Sequence, residues 1–341
     1  MSGKLEFAVS KGVFRMDFHA IFFFNIGMML LASVFGSSPS LQQYGADPNQ
    51  VSVSGLSAGG FMAVQVHVAY SASIMGVGVI AGGPYYCARG NLFYATTSCM
   101  STGNIPVDYL VDTATPYALL WNSIDDPENM EQDKIYIYHS SKDSVVVQDV
   151  GMAAEEYYRC FNENDANYLV EYGIASEHAI VTDGWGNACN QLDEPYINDC
   201  GYNTAYEMLN HIYGGNLELV AFDQDEFFGG NAATESVDDT GYVYVPSGCK
   251  TDASGCRVHI ALHGCHQQHK NVGDAFTTNA GYNEVAELNN IIVIYPQTIA
   301  SAMRGNPNAC WDWWGYASIS YACNLAPQMQ FMKEIIDRVT S

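Results

Sequence analysis

A serine stands inside the run Gly55-Leu56-Ser57-Ala58-Gly59, which has the form G-x-S-x-G. A serine hydroxyl is a weak nucleophile at neutral pH, and it attacks an acyl carbon only when a base removes its proton and donors meet the developing oxyanion. The flanking pattern suits that task. Gln50 to Val53 reads as extended and Phe61 to Tyr70 as helical, so the motif is a sharp strand-to-helix turn that lifts the hydroxyl clear of the backbone. It also sets the N–H of Ala58 at a helix N-terminus, where it can face an oxyanion. Gly60 extends the small-residue run. The alternative is a Gly-rich turn with no chemistry of its own.

A nucleophilic serine requires a histidine to take its proton and a carboxylate to orient that histidine, and the chain order serine, acid, histidine recurs around such elbows. The strand KIYIYH ends in the loop Ser140-Ser141-Lys142-Asp143-Ser144, which puts Asp143 at a strand's carboxyl end. The next strand, NYLVEYG, runs into Ile174-Ala175-Ser176-Glu177-His178, which puts His178 at the same sheet edge. Asp143 is the candidate acid and His178 the candidate base. A turn-forming or capping aspartate and a solvated loop histidine are the plain alternatives.

The second oxyanion donor ordinarily comes from a strand placed before the nucleophile. Here it comes afterwards, because Val258 to Leu262 leads into the turn His263-Gly264-Cys265-His266. The order is rotated. The C-terminal helix QMQFMKEIIDRVT and the N-terminal DPNQVSVSGLSAGG read as consecutive elements of a chain cut between them, which makes a circular permutation the expected architecture. His263, His266 and His269 as metal ligands are the competing use of this stretch, and they lack nearby carboxylates at helical spacing.

The elements that must carry these groups alternate. After the strand, turn and helix around Ser57 come a strand at Gly76 to Ile80, a helix at Val107 to Asn122, a strand at Lys134 to His139, an acidic helix at Val147 to Phe161 and a strand at Asn167 to Tyr172. Alternation resumes with strands at Leu217 to Phe222, Gly241 to Val245 and Val258 to Leu262, a helix near Tyr282 to Leu288, a strand at Ile291 to Tyr295 and a last helix at Gln328 to Val339. Such alternation predicts an α/β fold with a mostly parallel central sheet. The stretch 183–215, rich in Gly, Asn, Asp and Tyr and holding two cysteines, reads as a disulfide-pinned loop or lid. No Pro-rich, Gly/Ser-rich or charged linker divides the chain after the leader, so a single catalytic domain over 39–341 is expected.

With 48% hydrophobic and 15% charged residues in 341, the chain can bury a large core. Thirteen Lys and Arg against 37 Asp and Glu give a formal net charge of -24. Nucleic acids and anionic lipid surfaces both need a basic footprint, so neutral or apolar partners fit better. Lys4, Lys11 and Arg15 precede the apolar run Ile21 to Leu31 and the small residues Ala32, Ser33 and 36–38. That arrangement reads as a signal peptide over 1–38, with Met16 a candidate start; a signal anchor or a buried first helix is the other reading. Ten cysteines without a CxxC pair fit an exported, disulfide-bonded protein. Many connectivities are open, and proximity favours Cys87 with Cys99, Cys189 with Cys200 and Cys249 with Cys256.

The segments GLSAGGFMAVQ, EPYINDCGYNTAYEMLNHIYG, ALHGCHQ and NACWDWWGY together resemble the circularly permuted, single-domain poly(3-hydroxybutyrate) depolymerases of fungal type, from about Asp47 to Val339. The resemblance implies an α/β-hydrolase fold, with Ser57 as nucleophile, Asp143 and His178 as its partners and the amides of Ala58 and Cys265 as oxyanion hole. It implies a disulfide at Cys265, with Cys310 the candidate partner, and it sets Trp311, Trp313 and Trp314 near a substrate crevice. A Trp-rich core corner is the other reading of those three. The implied activity is that of a secreted, monomeric serine esterase that cleaves polyhydroxyalkanoate without metal or organic cofactor. The alternatives are an esterase for feruloyl, acetyl or small secreted esters and a catalytically dead polymer-binding protein. Many bacterial extracellular depolymerases add a linker and a granule-binding domain, which this sequence lacks.

Overall fold

The computed structural model describes residues 38–119, 122–213, 219–223, 225–228 and 231–341. The expected leader, apart from Ser38, lies outside them. Among the described residues no helix is long and apolar enough to cross a membrane.

The strands are β1 (Val51–Leu56), β2 (Gly76–Ile80), β3 (Lys134–Tyr138), β4 (Tyr168–Glu171), β5 (Ile180–Thr182), β6 (Asn187–Ala188), β7 (Ile197–Asp199), β8 (Leu219–Asp223), β9 (Thr240–Tyr244), β10 (Arg257–Leu262) and β11 (Ile291–Tyr295). The helices are α1 (Ala58–Ala69), α2 (Leu92–Thr96), α3 (Val107–Leu119), α4 (Gln148–Arg159), α5 (Thr204–Ile212), α6 (His269–Val272), α7 (Ala275–Asn279), α8 (Tyr282–Leu288) and α9 (Pro327–Thr340). The main sheet has the order β4-β3-β2-β1-β10-β11-β9-β8. From β4 through to β11 every neighbouring pair is parallel, while β9 pairs antiparallel with both β11 and β8. The sheet is thus mostly parallel, with an antiparallel edge that the alternation pattern did not foretell.

Every residue of β1 is buried, as expected for a central parallel strand covered on both faces. Its alternating serines are reconciled with that burial by a polar ladder. Ser52 Oγ meets His259 Nδ1 at 2.6 Å, and Ser54 Oγ meets His259 Nε2 at 2.8 Å and Tyr282 Oη at 2.9 Å. Burial pushes His259 down to about 3, so its ring is neutral and both nitrogens are used.

Residues 45 and 46 meet the C-terminal residues. Gly45 N–H donates to Ser341 O and Ala46 N–H to Val339 O, both at 3.1 Å. The end of α9 therefore lies beside the approach to β1.

The stretch 183–213 differs from the expected loop or lid. Its first half supplies β6 and β7, which join the preceding β5 in a second sheet of order β5-β7-β6, and the Cys189–Cys200 disulfide closes the stretch between them. Its second half is α5, capped by Asn203, whose side chain accepts from Tyr206 N. Thr204, Ala205, Met208, Leu209 and Ile212 are buried, which anchors the segment as a packed layer. The sequence NTAYEMLNHI carries that amphipathic period, though Gly- and Asn-rich residues around it obscure the pattern.

Candidate active site

The elbow is built by close backbone approach. A Cβ on Gly55 would lie 2.3 Å from Gly59 C, and one on Gly59 would lie 2.2 Å from Leu262 O. Both positions therefore demand glycine. Between them Ser57 adopts φ 56° and ψ -119°, a strained backbone that L-residues rarely hold outside functional sites. The turn is pinned by Ser57 N–H donating to Ile80 O and by Phe61 N–H donating to Ser57 O, each at 2.9 Å. The Ser57 amide is thereby committed, and the next amide, that of Ala58, opens α1.

Asp143 and His178 meet after β3 and β4. His178 Nδ1 lies 2.7 Å from Asp143 Oδ2, and both side chains are buried. The other carboxylate oxygen accepts from Val145 N at 2.9 Å and Val146 N at 2.8 Å. Burial pushes the Asp143 carboxyl up. The His178 charge, its hydrogen bond, the Val146 amide and His139 together outweigh that and hold the group below the usual carboxylate range. An ionised Asp143 fixes the proton of His178 on Nδ1 and leaves Nε2 as the basic nitrogen. No hydrogen bond joins Ser57 Oγ to His178 here, and such contacts commonly tighten only when substrate binds.

His139, at the end of the expected strand KIYIYH, is a supporting residue. Its Nε2–H donates to Val146 O at 2.8 Å and lies 3.9 Å from Asp143 Oδ2. Burial lowers its pKa, so a neutral ring braces the turn that presents the Val146 amide to Asp143. Space for it comes from Gly151 of α4, where a Cβ would fall 2.4 Å from His139 Nδ1.

The HG turn follows β10. Gly264 N–H donates to Gln267 Oε1 at 2.9 Å and His266 N–H to Asn308 O at 2.8 Å. The Cys265 amide between them is not spent in this way. Cys265 is disulfide-bonded to Cys310, which ties the turn to the strand of chain before the tryptophans. His263 is buried and pushed down to about 4 by that burial. Its Nδ1 engages Gly264 O at 2.7 Å and its Nε2 accepts from Thr298 N at 3.1 Å, so both nitrogens are engaged by the protein's own backbone, one within the turn and one beyond β11.

A cavity of about 320 Å³ borders both the nucleophile and the HG turn, with Ser57, Phe61, Val146, Cys265, Trp313 and Trp314 in its wall. Trp313 stacks on Phe61 with centroids 4.0 Å apart, and Trp314 meets Trp313 edge-on at 5.5 Å. Trp311 departs from the expectation. It is fully buried, and its indole N–H donates to His263 O at 3.1 Å. It forms the floor under the HG turn, outside the cavity wall.

All three proximity pairs are formed, Cys87–Cys99, Cys189–Cys200 and Cys249–Cys256. The fourth bridge is the Cys265–Cys310 pair that the resemblance implied. Cys160 and Cys323 are free thiols, so the even count overstated the framework.

No family model matches the chain. Two curated proteins align over most of it. The poly(3-hydroxybutyrate) depolymerase of Delftia acidovorans is 43% identical over 308 residues, 86% of this chain and 60% of the relative. The polyhydroxybutyrate depolymerase of Talaromyces funiculosus is 37% identical over 311 residues, 85% of this chain and 89% of the relative. The chain thus spans about 60% of the length of the first relative. Among solved structures, a PHB depolymerase from Penicillium funiculosum superposes with a TM-score of 0.79 at 35% identity, covering 88% of this chain and 98% of that one. A PHB depolymerase carrying a serine-to-alanine substitution, complexed with an R3HB trimer, matches with the same TM-score and coverage at 34% identity.

Proposed function

This chain belongs to the poly(3-hydroxybutyrate) depolymerases, and from that premise we propose that it hydrolyses the ester bonds of poly(3-hydroxybutyrate) with Ser57, His178 and Asp143 as its catalytic triad. The observation that carries the triad is the 2.7 Å contact of His178 with a buried, ionised Asp143, at the same end of the parallel sheet as a serine strained to φ 56°. In the reaction, His178 Nε2 takes the Ser57 proton as the hydroxyl oxygen attacks the ester carbonyl. The amides of Ala58 and Cys265 hold the oxyanion, an arrangement in which one donor is commonly worth about a hundredfold to a thousandfold in kcat. Collapse breaks the bond to the leaving alcohol, which takes the proton from His178, and an acyl-enzyme remains. Water, deprotonated by the same nitrogen, then releases the hydroxyacid and restores Ser57.

The apolar wall of Trp313, Trp314 and Phe61 suits the methyl and methylene groups of a neutral polyester, which a net charge of -24 does not repel. Four disulfides support export. We read 1–38 as the leader and the rest as one catalytic domain acting as a monomer. The adjacency of α9 to the approach of β1 and the arrival of the HG turn after the triad support the circular permutation. A serine-directed phosphonate tests the assignment. It should label Ser57 stoichiometrically and abolish ester cleavage, and turnover that survives full labelling would contradict it.

A further inference from the structure

We propose that Gln267 is a positioning residue that couples the oxyanion turn to the loop carrying the catalytic base. This rests on the triad reading above. Gln267 is fully buried, and its amide group is used on both sides. Oε1 accepts from Gly264 N at 2.9 Å, one residue before the Cys265 amide. Nε2 donates to Pro195 O at 3.0 Å and to Tyr196 O at 3.1 Å.

The second pair of contacts reaches toward His178. Tyr196 O also accepts from Ile180 N at 3.0 Å, and Glu177 N donates to Cys189 O at 2.8 Å, so the chain on both sides of His178 is held by the 189–196 segment. β5, which begins two residues after His178, pairs with β7, which begins just after Tyr196. One side chain therefore spans from the turn that would stabilise the oxyanion to the turn that anchors the base. The two regions are distant in sequence, with a separation of 71 positions between Tyr196 and Gln267. A buried side-chain amide satisfied at both ends specifies a unique geometry, and loss of either end strands backbone groups.

The test replaces Gln267 by Glu and by Met and compares kcat, KM and thermal melting on a soluble short-chain ester, with Ser57→Ala as control. Gln267→Glu keeps the acceptor for Gly264 but sets a carboxylate against two carbonyl oxygens. Gln267→Met keeps the volume and makes neither bond. Both should lower kcat by about 10- to 100-fold, as expected for a sub-ångström to ångström misplacement of reacting groups, with KM little changed. The Gln267→Glu rate relative to wild type should rise as pH falls, because a protonated carboxyl regains a donor toward Tyr196 O, while the Gln267→Met ratio stays flat. If Gln267→Glu does not fold, the Met variant decides. Wild-type kcat in the variants, or a loss confined to KM or melting temperature, overturns the proposal. Ser57→Ala keeps the two failures apart: unaltered Gln267 variants beside a dead Ser57→Ala sink only this inference, whereas an active Ser57→Ala sinks the triad.

Discussion

Asparagine at position 143 probes the acid, because its surroundings dictate how an amide must sit. Asp143 Oδ1 faces two backbone donors, Val145 N at 2.9 Å and Val146 N at 2.8 Å, and Oδ2 faces His178 Nδ1 at 2.7 Å. An asparagine offers one accepting oxygen and one donating nitrogen. Turning its nitrogen toward Val145 and Val146 would strand two buried N–H groups, at about 1–3 kcal/mol each. The oxygen therefore stays with the backbone and the nitrogen takes the Oδ2 position, where it donates to His178 Nδ1. The imidazole then holds its proton on Nε2, the nitrogen that must accept from Ser57. In Asp143→Asn, kcat on a soluble nitrophenyl ester should fall about ten-thousand-fold, which is about 5 kcal/mol of transition-state stabilisation. KM should stay within about twofold, since only a transition-state interaction is lost. Active-site titration and a thermal melt run alongside would show that the protein is folded. A folded variant that retains more than about a tenth of wild-type kcat would refute the tautomer argument and leave Asp143 as a turn-former.

Further expectations follow from the same geometry. Gly59→Ala should unfold or strongly destabilise the elbow, because its Cβ meets Leu262 O at 2.2 Å and His263 O at 2.5 Å, both backbone atoms; a urea midpoint equal to wild type would contradict this, overpacking ordinarily costing about 1–3 kcal/mol. His259, pushed down to about 3 by burial, binds no proton in the folded protein until well below its unfolded pKa. The stability it contributes is present above about 6.5 and is lost as pH falls toward 3. Urea unfolding of His259→Gln and wild type should therefore show a stability gap that shifts by about 2–3 kcal/mol in favour of the variant between pH 7 and pH 4.5; a constant gap would contradict the neutral ring. Replacing Cys265 and Cys310 together by serine opens a bridge of sequence separation 45. It should cost about 4 kcal/mol of stability and lower kcat by loosening the oxyanion turn, and an unchanged kcat would detach that bridge from catalysis.

Much of the site was legible because each part lies in local pattern. The G-x-S-x-G run declares its turn through glycines that no other residue can replace, and Asp143 and His178 follow apolar strands whose ends are plain. The strand at Gly76 to Ile80 and the helix at Tyr282 to Leu288 are observed at the expected bounds, since each is a short apolar or amphipathic run between turn residues. What escaped depends on partners distant in sequence. The burial of Trp311 follows from the carbonyl of His263, and the role of His139 follows from a loop that folds back over it. The buried serines of β1 look like a polar, half-exposed strand until His259 and Tyr282 are brought against them. Helix α5 was masked by polar neighbours, and the antiparallel edge formed by β8 and β9 is set by sheet order, which periodicity does not encode.

The most direct test of the account is clearing of a poly(3-hydroxybutyrate) suspension by the mature protein, run beside a short-chain nitrophenyl ester and a Ser57→Ala control. The account predicts that wild-type protein clears the suspension and cleaves the small ester, and that both activities vanish in Ser57→Ala. Clearing that persists in the variant would contradict the nucleophile. Ser57-dependent cleavage of the small ester without clearing would contradict the polymer.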